Sequence, residues 1–137
     1  GRKLNAGDPL PTIEKTVSQD DVNRYADAAG DHNPIHVDAE FAATSQFGRR
    51  IAHGMMIAAS ISEMMAQRFG QRWHRSGRMK IRFRAPVFPG ETVRASGTVK
   101  SVKQIDDGAE VVCSVQVTKG NDETAITGDA RVRIETI

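Results

Sequence analysis

The segment GDHNPIH, Gly30 to His36, gathers a carboxylate, two imidazoles and an amide around a proline. Three chemistries fit such a cluster: metal ligation, acid–base catalysis, or nothing beyond a polar turn. His32 and His36 stand at i, i+4, which on a helix would put both imidazoles on one face. Pro34 lies between them and argues against that helix, and the HExxH pattern is absent. With one cysteine in the chain a structural zinc site fits poorly, so no metal is expected. Asp31 and His36 are better placed for acid–base work. In a tight proline loop they can meet over one small volume, where a carboxylate and an imidazole sharing a water take one proton and return another. Asn33 would hold the loop by satisfying its backbone groups. The spacing leaves an Asx-type turn equally open, with Asp31 and Asn33 only capping the preceding helix.

A second chemical feature is His53-Gly54, at the start of an apolar segment. The first N–H groups of a helix lack internal partners and carry the positive end of its dipole. A glycine there lets a ligand oxygen approach the backbone, which is what polarising a carbonyl requires. An ordinary glycine at a helix start is the competing reading, and His53 is expected to be packed rather than reactive. Of Ser60 and Ser62, one is expected to reach a site while the other bonds back to its own helix. No GxSxG elbow is present, which argues against a nucleophilic serine. Met55, Met56, Met64 and Met65 suit either an acyl pocket or plain core. Cys113 is in phase with Val111 and Val115 and reads as buried filling.

The elements that position these residues follow from local pattern. Pro11 to Val17 reads as a short strand. Ser18 is a good N-cap with Asp21 three residues on, and Val22, Tyr25, Ala26 and Ala29 mark one apolar helical face. Gly30 ends that helix. Pro34 pushes Asn33 toward extended backbone, so residues 31–36 are expected to be loop. Asp38 can cap a short helix over Ala39 to Ala43, and residues 44–53 form a second loop. Met55 to Phe69 is apolar nearly all round, which predicts a helix buried on most sides and ending at Gly70. The period then changes to two: Met79, Ile81 and Phe83 alternate with Lys80, Arg82 and Arg84. Strands continue through Val93 to Val99, Val111 to Val117 and Ile126 to Ile134, with turns at Pro89-Gly90, Asp107-Gly108 and Gly120-Asn121. The expectation is an α+β fold in which a long antiparallel meander wraps one apolar helix.

Composition narrows the function classes. The 137 residues suit one domain with a real core, spanning 1–137. The apolar stretch from Gly54 to Met65 is too short for a membrane span and is broken by Ser60, Ser62 and Glu63. Gly1-Arg2-Lys3 leads into polar residues and prolines, so no leader peptide is expected. The lone cysteine suits a reducing, cytoplasmic setting. The formal charge of +2 is unevenly spread: Met64 to Gly90 carries seven basic residues and no acidic one. Such a surface attracts anions over about 8 Å at physiological salt, which favours a phosphorylated small molecule or an acidic protein. No nucleic-acid motif accompanies the charge, so nucleic acid is not an expected partner.

Together, "YADAAGDHNPIHVD" and "IAHGMM" resemble the MaoC-like dehydratases, also called (R)-specific enoyl-CoA hydratases. The resemblance runs through Tyr25, Gly30, Asp31, Asn33, Pro34, Ile35 and His36, then Ala52, His53, Gly54 and Met55. It extends to "FRAPVFPGETV" (83–93) and covers roughly residues 10–135 in order. It implies a hot-dog fold, an antiparallel sheet around the central helix, working usually as a homodimer, or as a heterodimer or double-hotdog relative, and no cofactor is expected. It further implies that Asp31 and His36 activate one water for syn addition to a trans-2-enoyl thioester of coenzyme A or acyl carrier protein. The product would be a (3R)-hydroxyacyl thioester, with dehydration as the reverse. In this resemblance Gly54 donates its N–H to the thioester oxygen, Ser62 supports the site, and Asn33 braces the loop. His32 occupies a variable position and is expected to face solvent. The alternative is a hot-dog thioesterase, which would look to an acidic residue in the central helix; Glu63 is the one available there.

Overall fold

The computed structural model describes residues 4–135; the leader-peptide reading, which rests on residues 1–3, lies outside the described residues. Five antiparallel strands form one sheet: β1 (Ile13–Thr16), β2 (Arg78–Phe83), β3 (Thr92–Ile105), β4 (Gly108–Lys119) and β5 (Thr124–Glu135). Their order is β1-β3-β4-β5-β2. Strands β3 to β5 are neighbours because tight turns join them, with Ile105 opposite Gly108 and Val117 opposite Ile126. The meander expected from the sequence stops there. β2 pairs with β5, not β3, and β1 pairs with β3, so these two short strands take the edges. The crossing from β2 to β3 is pinned outside the sheet, where Val87 accepts from the Ala52 amide and Gly90 donates to the Val17 carbonyl.

Five helices complete the chain: α1 (Gln19–Ala29), α2 (Pro34–Val37), α3 (Ala39–Ala43), α4 (Gly54–Phe69) and α5 (Gln71–Ser76). Ser18 and Asp21 close a reciprocal capping box on α1. Those bonds from Ser18, backbone first, hold the Asp21 carboxyl below its ordinary range, with Arg24 adding to them. Gly30 ends α1 at φ 69°, a left-handed position that a side chain would strain. α5 has no counterpart in the expected elements, where Gly70 only ends the apolar helix. In the structure Gly70 ends α4 and also starts α5, whose Trp73 is buried against the core.

α4 lies on the sheet through Ile57, Ala58, Ile61, Met64, Met65 and Phe69, facing Val93, Ala95, Val111, Val115, Val117 and Ile126. Burying each such side chain contributes roughly 1.5–3 kcal/mol, so this seam fixes where α4 begins. The expectation of burial on most sides is met except along one stripe. Beyond Gly54 at the helix start, Met55 (57% exposed), Ala59, Glu63 and Gln67, four residues apart, face outward, and the other positions are buried or half-buried.

Candidate active site

The helix α1 delivers the first candidate group. Its end at Gly30 turns the chain so that the Asp31 amide bonds back to Ala26, leaving the Asp31 side chain exposed beyond the helix. Asp31 Oδ1 accepts from the Asn33 amide at 3.3 Å, and Asn33 Oδ1 accepts from the Ile35 amide at 3.1 Å. The Asx-turn reading is thus half met: Asn33 caps the helix that follows, not the one before. The expectation of continuous loop over residues 31–36 is corrected here. Asn33 is extended, at ψ 127°, as a residue before proline should be, but Pro34 then starts α2. Proline suits a first helical position because the N–H it lacks would have no partner there. Two residues later, within the same turn, α2 presents His36.

The His36 ring is fixed by its Nδ1, which lies 2.8 Å from the Ile51 carbonyl oxygen. A carbonyl only accepts, so neutral His36 carries its proton on Nδ1 and leaves Nε2 as a free lone pair. Its backbone is held as well: Gln19 Nε2 donates to the His36 carbonyl at 2.9 Å. No local pattern in the sequence links Gln19, in the first turn of α1, to a residue seventeen positions on.

His53 is where expectation and structure part most usefully. It is packed, as expected, at 2% exposure, but it is packed into the site itself. Its ring stacks on His36 at 3.8 Å between centroids and lies 4.8 Å from Tyr25. Its Nε2 donates to the Asp31 carbonyl at 2.9 Å. Donor atoms of Asp31, His36 and His53 all fall within 4.8 Å of one another. These three do not fit a single metal ion. Imidazole lone pairs lie in the ring plane, and two planes inclined by 26° at 3.8 Å separation do not meet within a ligand distance of about 2.1 Å.

Gly54 follows His53 as the first residue of α4, and no side chain caps that end. Gly54 lines a cavity of about 280 Å³ together with Ile51, Ala52, Ile57, Phe83, Arg84 and Val87. A second cavity, about 360 Å³, lies between β1, α1 and α4, with Tyr25, Met56 and Lys15 in its wall. Asp31, His36 and His53 line neither cavity; the first reaches the cluster through Gly54, next to His53 in the chain, and the second through Tyr25, whose ring lies against His53. Of the methionines, Met64 and Met65 are core, Met56 lines the second cavity and Met55 is exposed.

Other candidates lie elsewhere. Ser60 bonds back to the Ile57 carbonyl at 2.6 Å, as one of the two serines was expected to do. Ser62 is eight residues beyond Gly54, about 12 Å along the helix, and among the described residues it makes no hydrogen bond to the cluster. His32 points outward and pairs with Asp27 at 2.9 Å. Glu63 is held by Lys15 at 2.5 Å, on the β1 side of α4. Cys113 is buried, and desolvation pushes its thiol up to about 11. The basic stretch does not converge either. Arg72 bonds the Phe69 carbonyl, and Arg78, Lys80 and Arg82 are exposed along β2, with Glu110 facing Arg78. Arg84 alone of that stretch lines the first cavity.

Comparison with known proteins gives one answer. Residues 3–121 match the MaoC like domain. A 3-hydroxyacyl-thioester dehydratase Z from Mycobacterium tuberculosis is 38% identical over 125 residues, covering 86% of this chain and 82% of that one. A 3-hydroxybutyryl-CoA dehydratase from Methylorubrum extorquens is 34% identical over 122 residues, covering 89% and 76% respectively. In three dimensions the (R)-hydratase of A. caviae superposes with a TM-score of 0.84 at 28% identity, covering 98% of this chain and 99% of that one. The sheet, the helix it wraps and the sequence likeness together make this chain a hot-dog protein of the MaoC-like dehydratase family.

Proposed function

We infer that the protein is a hydro-lyase that hydrates trans-2-enoyl thioesters to (3R)-hydroxyacyl thioesters, or runs the reverse dehydration, in fatty-acyl metabolism. The observation that carries this reading is the pairing of Asp31 with His36, whose Nδ1 bonds the Ile51 carbonyl, beside a helix N-terminus at Gly54 that no side chain caps. One water held between the Asp31 carboxylate and His36 Nε2 gives its hydroxyl to C3, while the pair returns one proton to C2. Negative charge gathers on the thioester oxygen during that step. The Gly54 amide, at the positive end of α4, stabilises it there. Asn33 keeps the Asp31 turn rigid through its two hydrogen bonds.

The apolar cavity beside Gly54 suits the acyl chain, and Arg84 at its wall suits an anionic group of the coenzyme A or carrier-protein portion. The thioesterase alternative loses support, because its acidic residue, Glu63, is engaged by Lys15. A homodimer fits the exposed surface. Phe83, 54% exposed, and Met55 lie at the same end of α4 and β2, and β2 is an edge strand. Ser62, seven residues from Met55 and so on the same helical face, would join the site from that shared surface. Among the described residues no helix is long and apolar enough to cross a membrane, and the buried free thiol of Cys113 favours the cytoplasm. The test is enoyl absorbance of crotonyl-CoA. The signal falls with the wild-type protein and persists with Asp31→Asn; equal rates for the two would overturn the assignment.

A further inference from the structure

His53 has a feature that packing alone does not explain. Its Nε2 is bonded to the Asp31 carbonyl, so in the neutral ring Nδ1 is a bare acceptor. That Nδ1 is buried and has no hydrogen-bond partner among the described residues. A buried acceptor without a donor is costly, and a phenyl ring would fill similar space without that cost. The imidazole is therefore retained for its other contacts. The ring makes three: Nε2–H to the Asp31 carbonyl, one face on His36 and a tilted approach to Tyr25. The first two lead to the proposed chemistry, and the backbone of the same residue runs into Gly54.

Resting on the hydratase reading, we propose that His53 is the positioning residue of the site, fixing Asp31, His36 and the Gly54 amide relative to one another as a neutral Nε2–H imidazole. It touches no reacting atom. Asp31 comes from the end of α1 and His36 from α2, and neither element alone sets the gap between them. His53 closes that gap from a third element whose depth is fixed by the α4 core. A shift of about 1 Å between such groups is enough to lower turnover on the order of a hundredfold.

Two substitutions separate the contacts. His53→Phe keeps a ring against His36 and removes the bond to Asp31. His53→Gln places an amide N–H near the position of Nε2 and removes the stacking. The proposal expects kcat for crotonyl-CoA hydration to fall at least about tenfold in His53→Phe with KM within about twofold, and His53→Gln to recover part of the loss. A folded His53→Phe protein with kcat within about twofold of wild type overturns it. Imidazole ¹⁵N spectra of the wild-type protein give a second reading that needs no folded variant and no turnover. They should show His53 protonated on Nε2 alone and His36 on Nδ1 alone at neutral pH; a His53 proton on Nδ1 overturns the proposal. If no enoyl thioester is hydrated by the wild-type protein, the hydratase reading fails, and the spectra still decide whether His53 holds Asp31.

Discussion

Substituting Gly54 by alanine separates the needs of the fold from those of the proposed reaction. An ideal Cβ at this position would lie 2.7 Å from Phe83 Cε1 and 3.1 Å from Cδ1 and Cζ of the same ring. No backbone atom is among those nearest contacts, so the phenyl ring must move. Phe83, 54% exposed in the single chain, can turn there at about 0.5–1.5 kcal/mol for an off-rotamer side chain, with a further cost where the ring enters the proposed dimer seam. Alanine in place of glycine returns up to about 1 kcal/mol through helix propensity. The two effects nearly cancel, and at roughly 3–5 °C per kcal/mol for a chain of this size Tm should move by only a few degrees. Activity should not cancel in this way. The added methyl and the displaced ring both enter the cavity mouth where the thioester oxygen must approach the amide. Losing such a donor typically costs on the order of 10²–10³ in kcat, and crowding that spares the N–H should cost at least about tenfold in kcat/KM. The assay is crotonyl-CoA hydration beside a thermal melt, with Gly54→Ala/Phe83→Ala as a third protein. Relieving the ring contact should not restore activity, because the Cβ itself stands over the amide. A single variant with wild-type kcat/KM, or full recovery in the double variant, would refute this reasoning.

Three further outcomes follow from other parts of the chain. Lys119, nearly buried, donates to the Pro86 carbonyl at 2.8 Å and faces Glu91 at 3.1 Å and Glu123 at 3.4 Å. Lys119→Met should therefore cost about 2 kcal/mol in urea unfolding, less than a fully buried pair because both glutamates keep contact with water. Cys113 should be inert to an aromatic disulfide reagent at pH 8 in the native state and reactive once unfolded. Since its folded value of about 11 exceeds the ordinary 9.0, the associated stability is complete below pH 9 and is lost as pH rises toward 11. Met55→Glu should shift the protein from twice the chain mass to the chain mass in light scattering, since a carboxylate in a dimer seam would be desolvated; an unchanged mass removes Met55 from the interface.

Much of this organisation was legible from local pattern. Ser18, Gly30, Asp38 and Gly70 mark helix ends in the structure as they do in the sequence, because capping is decided within a few residues. Alternation placed Val111, Cys113, Val115 and Val117 on the buried face. Pro34 was misread in one respect. Its restriction on Asn33 is real, but the same ring is favourable one position later, so a short helix carries His36. The strand order was not legible, because pairing of β2 with β5 depends on the path of residues 84–91 around the sheet. His53 illustrates the same limit within the site. Its burial could be guessed from the apolar segment it opens, whereas its contacts with His36 and the Asp31 carbonyl join residues seventeen and twenty-two positions away.

The most direct test follows the atoms added to the double bond. Crotonyl-CoA is incubated with the wild-type protein in deuterium oxide, and the product is analysed for configuration and label. The account predicts 3-hydroxybutyryl-CoA of (3R) configuration, with one deuterium at C2 on the same face as the new hydroxyl, and no such product from Asp31→Asn. A (3S) product, a C2 label on the opposite face, or free coenzyme A in place of hydration would contradict it.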